Sequence, residues 1–477
     1  MKKQNESAQA AGFADVLVGL QYGDEGKAKI IDLLADGYDC IARFNGGANA
    51  GHTIETSRGR VALKQVPSAV FHDGTRLYVG SGCVVDAAKL VDELAMLAGL
   101  GIDVHGRLSL AARAALVQPH HVVIDKVRFG LIGTTKNGIG AAYADRALRM
   151  DGDRLVSLRV GDLIEDPEAV LAMVRRNLEA TLALHREVDC DVDAELAKLR
   201  AAVAVIRPYV EPDALYLTNL VRSGGRVLFE GAQSTALDVA QGTVPFVTSS
   251  HTVAAAAFVG GDLSAKYHRK TIGVAKAIMS RVGSGPFVSE YGGERSEVYC
   301  DKTVDGQVAH TSAYEAKLDV AAELSSDDAF HVGRGLRILS GEYGTGTKRP
   351  RRIGMFDLVQ LRRAVLLNGV DELYITKCDL LHHYASTKDN ALPLVTGYQD
   401  GGQPIDYEPT AEVSHRRVSP VVTRLPAPSH ASESAEVGVE IRKWVEVVEQ
   451  TVECRVAGIG TGPARDAIQL FEQTAES

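Results

Sequence analysis

The chain opens with a strand, a glycine-bearing turn and a helix, and this order restricts the fold more than any other feature. Residues 15–20 form a mostly apolar run, which is typical of a strand buried in a parallel sheet. Gly23 and Gly26 lie in the turn that follows, and the apolar residues of 29–34 recur at helical spacing. Such a unit buries its apolar faces only if further strands extend the sheet and helices cover it.

Strand-like and helix-like segments alternate along the rest of the chain. The patterns predict strands at 40–44, 226–230 and 373–376, and helices at 87–97, 167–184 and 193–206. This alternation indicates an α/β protein with a mostly parallel, doubly wound central sheet of P-loop-like nucleotide-binding type, carrying inserted subdomains. We expect a flexible tail at 1–14 and one catalytic domain at 15–470, with insertions near 290–340 and 397–435.

The turn between the first strand and helix has the character of a phosphate-binding loop. Backbone N–H groups at such a turn, together with the helix N-terminus, favour phosphate, and Lys27 could neutralise phosphoryl oxygens. The loop departs from a P-loop because its glycine-to-lysine spacing is longer and Ala28 lacks the Mg²⁺-binding hydroxyl. Asp24 and Glu25 suit simple anion binding poorly, so one of them is expected to bind Mg²⁺ or to remove a proton. An ordinary glycine turn is the alternative.

A second segment of small residues ends in a histidine. Residues 45–51 are mostly glycine, alanine and asparagine, so the backbone can approach a ligand closely. His52 follows, flanked by Gly51 and Thr53 and not by apolar residues. A lone histidine is as easily structural. Beside Asp24, it becomes a candidate acid to that residue's base, because histidine titrates near neutral pH.

A third segment indicates guanine recognition. Thr376-Lys377-Cys378-Asp379 follows a predicted strand, at the carboxyl end where α/β nucleotide sites lie. The carboxylate of Asp379 can accept hydrogen bonds from guanine N1–H and from its exocyclic amine, whereas adenine would leave it unpaired. The stem of Lys377 can lie on the purine face. The alternative is a charged pair that caps the following turn.

Composition excludes several other classes of protein. The formal net charge of −9 and the pI near 5.9 leave no overall basic footprint for nucleic acid. The six cysteines are scattered without metal-ligand spacing, so neither a disulfide scaffold nor a zinc site is expected, and a reducing cytoplasm fits best. No apolar run is long enough to span a bilayer, and the polar start of the chain does not look like a signal peptide.

Further motifs follow in chain order, and together they resemble one known family. They include Gly47-x-Asn49-Ala50-Gly51-His52-Thr53, Ile132-Gly133-Thr134-Thr135, Arg159-Val160-Gly161-Asp162-Leu163, Phe229-Glu230-Gly231-Ala232-Gln233, Val247-Thr248-Ser249-Ser250, Arg349-Pro350-Arg351-Arg352 and Gly462-Pro463. With the loop Gly23-Asp24-Glu25-Gly26-Lys27, they make residues 16–468 closely similar to the adenylosuccinate synthetases. The fold expected from this resemblance is that family's P-loop-like ligase fold.

The resemblance implies a GTP-dependent ligase that acts in two steps. The family transfers the γ-phosphoryl group of GTP to O6 of inosine monophosphate (IMP), and the amine of L-aspartate then displaces phosphate from C6. By resemblance, Asp24 removes the N1 proton and binds Mg²⁺, His52 assists as an acid, and the carbonyl of Gly51 is a second Mg²⁺ ligand. Lys27 would stabilise phosphoryl charge, and Gln233 would also belong to the catalytic set.

The resemblance also implies three sets of binding residues. GTP would be bound by Gly23, Glu25, Gly26, Lys27, Gly51, His52, Thr53, Lys377, Asp379, Gly460, Gly462 and Pro463. The acceptor nucleotide would be bound by Asp24, Asn49, Thr134, Thr135, Arg149, Gln233, Thr248 and Arg349, with Arg149 reaching across a homodimer interface. Aspartate would be bound by Thr347, Arg349 and Arg351, because guanidinium groups match carboxylates.

Departures from the family pattern leave alternatives open. The aspartate loop, usually Thr-Thr-Gly-Arg in the family, reads Gly346-Thr347-Lys348-Arg349, so another amino acid is an alternative substrate. Residues 290–338 are expanded and bring to mind the branch that makes 2-aminoadenylosuccinate from dGMP, so dGMP, GMP or a modified purine is an alternative acceptor. The retained Asp24 favours IMP. A non-catalytic GTP-binding regulator is a third alternative, which would predict loss of Asp24, Lys27 or His52.

Overall fold

A computed structural model describes residues 11–56, 59–128, 134–304, 307–344, 348–428 and 438–471. The helices are α1 Lys27–Leu34, α2 Ala87–Gly99, α3 Pro119–Arg128, α4 Ile139–Leu148, α5 Val160–Glu165, α6 Pro167–Leu184, α7 Val192–Ile206, α8 Tyr216–Arg222, α9 Ala256–Gly260, α10 Gly293–Asp301, α11 Ser312–Glu315, α12 Val320–Leu324, α13 Ala329–Ser340, α14 Leu358–Asn368, α15 Glu412–Arg417 and α16 Val439–Val452. The strands are β1 Phe13–Gly19, β2 Cys40–Arg43, β3 His52–Thr56, β4 Gly59–Leu63, β5 Arg76–Val79, β6 Val84–Val85, β7 Leu108–Ala111, β8 Ala115–Leu116, β9 Met150–Asp151, β10 Arg154–Leu155, β11 Val210–Glu211, β12 Arg226–Ser234, β13 His268–Lys276, β14 Met279–Arg281, β15 Thr303–Val304, β16 Gln307–Val308, β17 Arg352–Gly354, β18 Phe356–Asp357, β19 Glu372–Thr376, β20 Ala391–Asp400, β21 Gln403–Ile405, β22 Val418–Pro426, β23 Val456–Gly460 and β24 Ile468–Leu470.

The centre of the molecule is a ten-stranded sheet in the order β11-β7-β5-β2-β12-β1-β13-β19-β23-β24. Every neighbouring pair is parallel except β23 and β24, which pair antiparallel at one edge. This arrangement confirms the predicted α/β class and the mostly parallel sheet. Because the central strands are parallel, their carboxyl ends gather at one edge of the sheet, where ligands bind in folds of this kind.

Hydrophobic clusters cover both faces of the sheet. Val16 and Val18 of β1 belong to one cluster, and Leu17 belongs to the other, because successive side chains of a strand point to opposite faces. Helices α14 and α16 pack on the first face, whereas α2, α6 and α7 pack on the second. The apolar runs of the sequence are therefore continuous because both faces of each central strand are buried.

The predicted elements agree closely with the observed ones at the centre of the fold. Helix α6 has the predicted bounds, and α7 begins one residue earlier than predicted. The side chains of Asp166 and Asp191 accept the first free N–H groups of these helices, which fixes where each begins. Strand β1 begins at Phe13, inside the predicted tail, and the division into one catalytic domain with insertions remains a prediction.

The expanded segment is more ordered than its turn-rich sequence suggests. Helix α10 lies where a polar surface stretch was expected, and α11, α12 and α13 follow it. Cys300 and Phe330 are buried within this segment, and a buried ion pair joins Arg337 to Glu315 at 2.6 Å. The second expected insertion contains the antiparallel strands β20, β21 and β22, while its final part, from residue 429, lies outside the described residues.

Candidate functional site

Four neighbouring strands deliver the predicted site residues to one edge of the sheet. Strands β1, β13, β19 and β23 are adjacent, and the phosphate loop, the Thr376–Asp379 segment and the tail around Gly460 follow their carboxyl ends. The hydroxyl of Thr376 donates to the carbonyl of Glu25 at 2.7 Å, which ties two of these segments together. A Cβ at Gly460 would lie 3.1 Å from Cα of Thr376, so glycine permits the close approach of the third.

Glu25 organises the phosphate loop from inside. Its carboxylate accepts from the backbone N–H of Gln21 at 3.2 Å and of Gly23 at 2.8 Å, and it forms an ion pair with Lys27 at 2.8 Å. Burial raises the pKa of Glu25, but the attraction of Lys27 outweighs it and the pKa lies below the usual value. Since this side chain is fully buried and engaged, Glu25 could meet a phosphate only through its backbone.

The loop leaves room for an anion at the start of α1. Gly23, Asp24 and Gly26 all have positive φ, and no side chain caps the N-terminus of the helix. A Cβ at Gly19 would lie 2.1 Å from Oγ of Ser234, so this position requires glycine. Uncapped N–H groups at a helix N-terminus, with the Lys27 ammonium beside them, form a site of the kind that binds phosphate.

Asp24 differs from Glu25 because it projects into the open. Its side chain is 39% exposed, and its backbone adopts a left-handed conformation with φ of 57°, which is uncommon for a non-glycine residue. Its carboxylate pairs with Arg351 at 2.7 Å. The two carboxylates that the sequence places side by side therefore have different roles. Glu25 supports the loop, and Asp24 is available to remove a proton or to bind a cation.

His52 begins β3 and is almost fully buried. Its Nδ1 forms an ion pair with Glu230, and the hydroxyl of Ser68 donates to the same carboxylate at 2.6 Å. Burial raises the pKa of Glu230, but the charges of His52 and Arg43 outweigh it, so its pKa is lowered. The carboxylate that holds His52 is therefore ionised at neutral pH.

Several predicted acceptor-nucleotide residues lie in loops or near the end of a strand. Gln233 lies next to the last residue of β12 with φ of 58°, and its Oε1 is buried without a hydrogen-bond partner among the described residues. Because such an acceptor is costly to leave unpaired, it indicates a donor supplied by a ligand. Asn49 turns its Oδ1 back to the N–H of Gly47 at 3.1 Å, and the N–H of Thr248 donates to Leu237 at 2.7 Å.

The segment that carries Thr134 and Thr135 packs against the first of these loops. The Thr134 hydroxyl donates to Asp125 at 2.5 Å, and Asn137 contacts both the hydroxyl of Thr135 at 3.1 Å and the carbonyl of Ala48 at 3.3 Å. Arg149 follows α4 at the surface, with φ of 67°. A positive φ is uncommon for a residue other than glycine.

The lysine that the sequence predicts to contact guanine is held by a buried carboxylate. Lys377 lies in the left-handed region with φ of 60°, donates to the carbonyl of Ser340 at 3.1 Å, and pairs with Glu342. Burial raises the pKa of Asp379, which lies half-buried two residues later. Lys29 of α1 donates to the carbonyl of Gly462 at 2.7 Å and so brings the segment before Pro463 to this region.

Glu342 also joins the guanine region to the predicted aspartate clamp. Lys276 lies 3.4 Å away, Arg351 lies 2.7 Å away, and Ser280 donates at 2.7 Å. Burial raises the pKa of Glu342, but Lys276, Lys377 and Arg351 together hold it well below the usual value. Within the part of the chain that the structure describes, Nε of Arg351 is buried without a hydrogen-bond partner, so this guanidinium retains a donor for a further carboxylate.

Arg349 is held by the expanded segment. Its guanidinium pairs with Asp301, the last residue of α10, and its Nε donates to the carbonyl of Cys300 at 3.2 Å. Arg352, the last residue of the same motif, pairs with Glu290 inside the protein. Thr347 and Gly346 of the same loop lie outside the described residues, as does Gly133 of the earlier glycine–threonine motif.

Another histidine–carboxylate cluster, outside this site, could hold a metal by distance alone. His120, His121 and Asp145 place their ligand atoms within 4.8 Å of one another. However, Nδ1 of His121 accepts the N–H of Gln118 at 2.9 Å, so its proton resides on Nε2 and points at Asp145. A metal on Nε2 would displace that proton onto the nitrogen that faces an N–H donor. The cluster therefore fastens α3 to α4 and does not suit a metal.

Sequence reasoning did not assign roles to Glu230, Glu342, Ser68, Lys276 and Asp301. Two of them carried a signal, because Glu230 and Lys276 are charged residues that follow the apolar part of their strands. The others are brought to the site by long-range packing, which local patterns do not report.

Comparison with known proteins agrees with this geometry. The sequence model of the family described as adenylosuccinate synthetase matches residues 16–469. "Adenylosuccinate synthetase 2" of Cupriavidus pinatubonensis is 47% identical over 472 residues, which cover 98% of this chain and 99% of that protein. The chain belongs to the adenylosuccinate synthetase family. It is accordingly an enzyme, a ligase that uses GTP and small-molecule substrates.

Solved structures extend the comparison to the fold. A fully ligated adenylosuccinate synthetase from Plasmodium falciparum matches with a TM-score of 0.81 and 28% identity, covering 97% of this chain and 100% of that one. A succinoaminodeoxyadenylate synthetase of cyanophage S-2L, bound to dGMP and dATP, matches with a TM-score of 0.57 and 18% identity over 98% and 97% of the chains, which shows a shared fold only. Among the described residues, no helix combines the length and apolarity needed to cross a bilayer.

Proposed function

We propose that this adenylosuccinate synthetase family member joins L-aspartate to IMP with the energy of GTP. The products are adenylosuccinate, GDP and phosphate, on the route to AMP. The observation that carries the proposal is the juxtaposition of an exposed carboxylate, Asp24, with an uncapped helix N-terminus and a guanine-recognition segment at one edge of the sheet. One site can thus hold a phosphoryl donor beside a proton acceptor.

The chemistry needs a leaving group at C6 of the purine. Asp24 takes the N1 proton of IMP, which makes O6 a better nucleophile towards the γ-phosphorus of GTP. The new O6–phosphorus bond forms as the bond from the γ-phosphorus to the β,γ-bridging oxygen breaks, and GDP leaves with His52 and Lys27 stabilising the developing charge. The amine of aspartate then attacks C6, and phosphate departs with O6.

Mg²⁺ fits the oxygen donors that the site offers. The carboxylate of Asp24 and the backbone carbonyl of Gly51 are ligands of the kind Mg²⁺ prefers, and Asp24 is exposed enough to be reached. When bound, the ion would neutralise negative charge on the phosphate oxygens. Lys27, which is tied to Glu25, would supply a fixed positive charge beside it.

We also propose a homodimer in which Arg149 reaches the acceptor nucleotide of the partner subunit. Arg149 is exposed and constrained, and Leu148, Met150 and Leu155 beside it expose between 37% and 51% of their surface. Exposed apolar residues around a functional arginine favour an interface. A cytoplasmic location is proposed because all six cysteines are free thiols and five are buried.

The proposal is tested by the choice of acceptor. Purified protein with GTP, Mg²⁺ and L-aspartate is expected to consume IMP, with formation of adenylosuccinate followed by absorbance and mass spectrometry. The retained Asp24 and the identity of 47% to a protein named adenylosuccinate synthetase favour IMP over dGMP. Turnover of dGMP without turnover of IMP would reject the acceptor assigned here. The variants Asp24→Asn and His52→Asn are expected to lose ligation, whereas a GTP-binding regulator would be indifferent to them.

A further inference from the structure

One ring nitrogen of His52, Nδ1, is fixed by two side chains. Nδ1 of the ring forms an ion pair with Oε1 of Glu230 and lies 3.3 Å from Oγ of Ser68. Glu230 and Ser68 are fully buried, and His52 exposes only 6% of its surface. A buried contact of this kind leaves the ring little freedom to rotate, because Glu230 extends from the central strand β12.

The two carboxylate oxygens of Glu230 have different hydrogen-bond partners. The backbone N–H of Ser68 donates to Oε2 at 2.7 Å, and the hydroxyl of Ser68 donates to Oε1 at 2.6 Å. An ionised carboxylate can only accept, so the proton between Glu230 and His52 belongs to Nδ1. The second nitrogen, Nε2, is then the one through which His52 can give or take a proton in the reaction.

We propose that Glu230 is the positioning residue of His52, holding its Nδ1 proton so that Nε2 faces the phosphoryl groups as the acid. The proposal rests on the proposed role of His52 in phosphoryl transfer. Buried carboxylates set the tautomer and orientation of catalytic histidines in this way, and they stabilise the positive charge of the doubly protonated ring. Glu230 itself is fully buried, so it acts through His52.

Glu230→Gln is an informative variant because the structure dictates how the amide must lie. The N–H of Ser68 requires an acceptor at the Oε2 position, so the amide oxygen takes that place and the amide NH₂ faces Nδ1 of His52. The amide NH₂ is a donor, and it can form a hydrogen bond with Nδ1 only if Nδ1 carries no proton. In this variant the ring proton must therefore lie on Nε2. The variant therefore reverses the tautomer at nearly constant volume.

The matched control is a second buried glutamate outside the site. Glu93 is 6% exposed and accepts the backbone N–H groups of Lys64 at 2.7 Å and of Gln65 at 2.9 Å. Glu93→Gln removes a buried negative charge near the same segment, but it does not touch His52. Ser68→Ala is a further comparison, because it removes the hydroxyl and keeps the backbone donor that orients Glu230.

The test combines nuclear magnetic resonance of the full chain labelled with ¹⁵N-histidine and steady-state kinetics. The His52 signal is assigned as the one missing from His52→Asn. We expect a proton on Nδ1 in the wild type, Glu93→Gln and Ser68→Ala, and on Nε2 in Glu230→Gln. We also expect kcat to fall about 10²- to 10⁴-fold in Glu230→Gln, with each KM changed less than about threefold.

Two results would overturn the proposal, and neither depends on which purine is the acceptor. A wild-type His52 that carried no proton on Nδ1 would reject it even if Glu230→Gln failed to fold. A folded Glu230→Gln that retained the wild-type tautomer, or kept wild-type kcat, would reject it as well. If the wild type ligated no purine at all, the proposed function would fail, while the tautomer measurement would still report on Glu230.

Discussion

At the scale of single residues, the site contrasts carboxylates that look alike in sequence. Glu25, Glu230 and Glu342 are fully buried, ionised and paired with cations, whereas Asp24 is exposed. A buried carboxylate stays charged only when its partners compensate for the lost water, so these three have fixed positions and fixed charge. Only Asp24 can change partner as a substrate arrives, which suits a proton acceptor.

Arg349 gives a prediction about the amino-acid substrate. Arg349→Leu is expected to raise the KM for aspartate about tenfold to a hundredfold, because a charge-assisted contact with a carboxylate contributes about 1.5–3 kcal/mol. The KM for GTP should change less than about twofold. The control is Arg424→Leu, which removes an exposed arginine paired with Asp389 at 3.1 Å. Equal increases in both KM values would count against the clamp.

Sequence patterns predicted the residues with local signatures and missed those placed by tertiary packing. Asp24, Lys27 and His52 belong to glycine-rich motifs whose chemistry is readable from neighbouring residues. Ser68 contacts Glu230, which lies 162 residues further along the chain, and Glu342 contacts Lys276, which lies 66 residues before it. Contacts between residues so far apart cannot be predicted from a short stretch of sequence. The residues placed by tertiary packing hold the residues with local signatures in position, and this is why they matter for the reaction.

At the scale of elements, strands buried on both faces were predictable, and the expanded segment was not. The apolar runs at 15–20 and 226–230 lie inside the sheet because parallel strands there have no solvent face. Helix α10 has a polar sequence and was expected to be a surface stretch. It is held by ion pairs such as Arg349–Asp301, and ion pairing has no periodicity that a sequence pattern could reveal.

Helix α1 is predicted to hold the C-terminal loop in the position that favours GTP binding. Lys29 of α1 donates to the carbonyls of Gly462 at 2.7 Å and Ala467 at 2.8 Å. Lys29→Met removes both bonds and keeps the apolar stem, so the KM for GTP should rise about tenfold and that for aspartate should hardly change. Lys443→Met, on the exposed face of α16, is the comparison. An unchanged KM for GTP would show that these two hydrogen bonds to the loop do not contribute to guanine binding.

At the scale of the whole molecule, burial raises the pKa of some carboxyl groups above the usual value, and Asp357 is one of them. Asp357 caps α14 by accepting the N–H of Gln360 at 3.1 Å, and it accepts the hydroxyl of Tyr398 at 2.7 Å. Burial, with the nearby charge of Glu408, raises its pKa from 3.8 to about 7. The folded protein therefore binds a proton here that the unfolded chain releases near pH 4.

This linkage predicts how stability depends on pH. Because the folded state binds more protons between pH 4 and pH 7, Asp357 lowers the free energy of unfolding as pH rises across that window. The loss between pH 5 and pH 8 is about 3 kcal/mol. In Asp357→Asn the amide oxygen keeps the cap and nothing titrates, so this variant should gain stability relative to the wild type as pH rises. Urea unfolding at both pH values and fixed protein concentration measures the difference. The exposed Asp389→Asn should show no such gain, and parallel pH dependence of wild type and Asp357→Asn would refute the assignment.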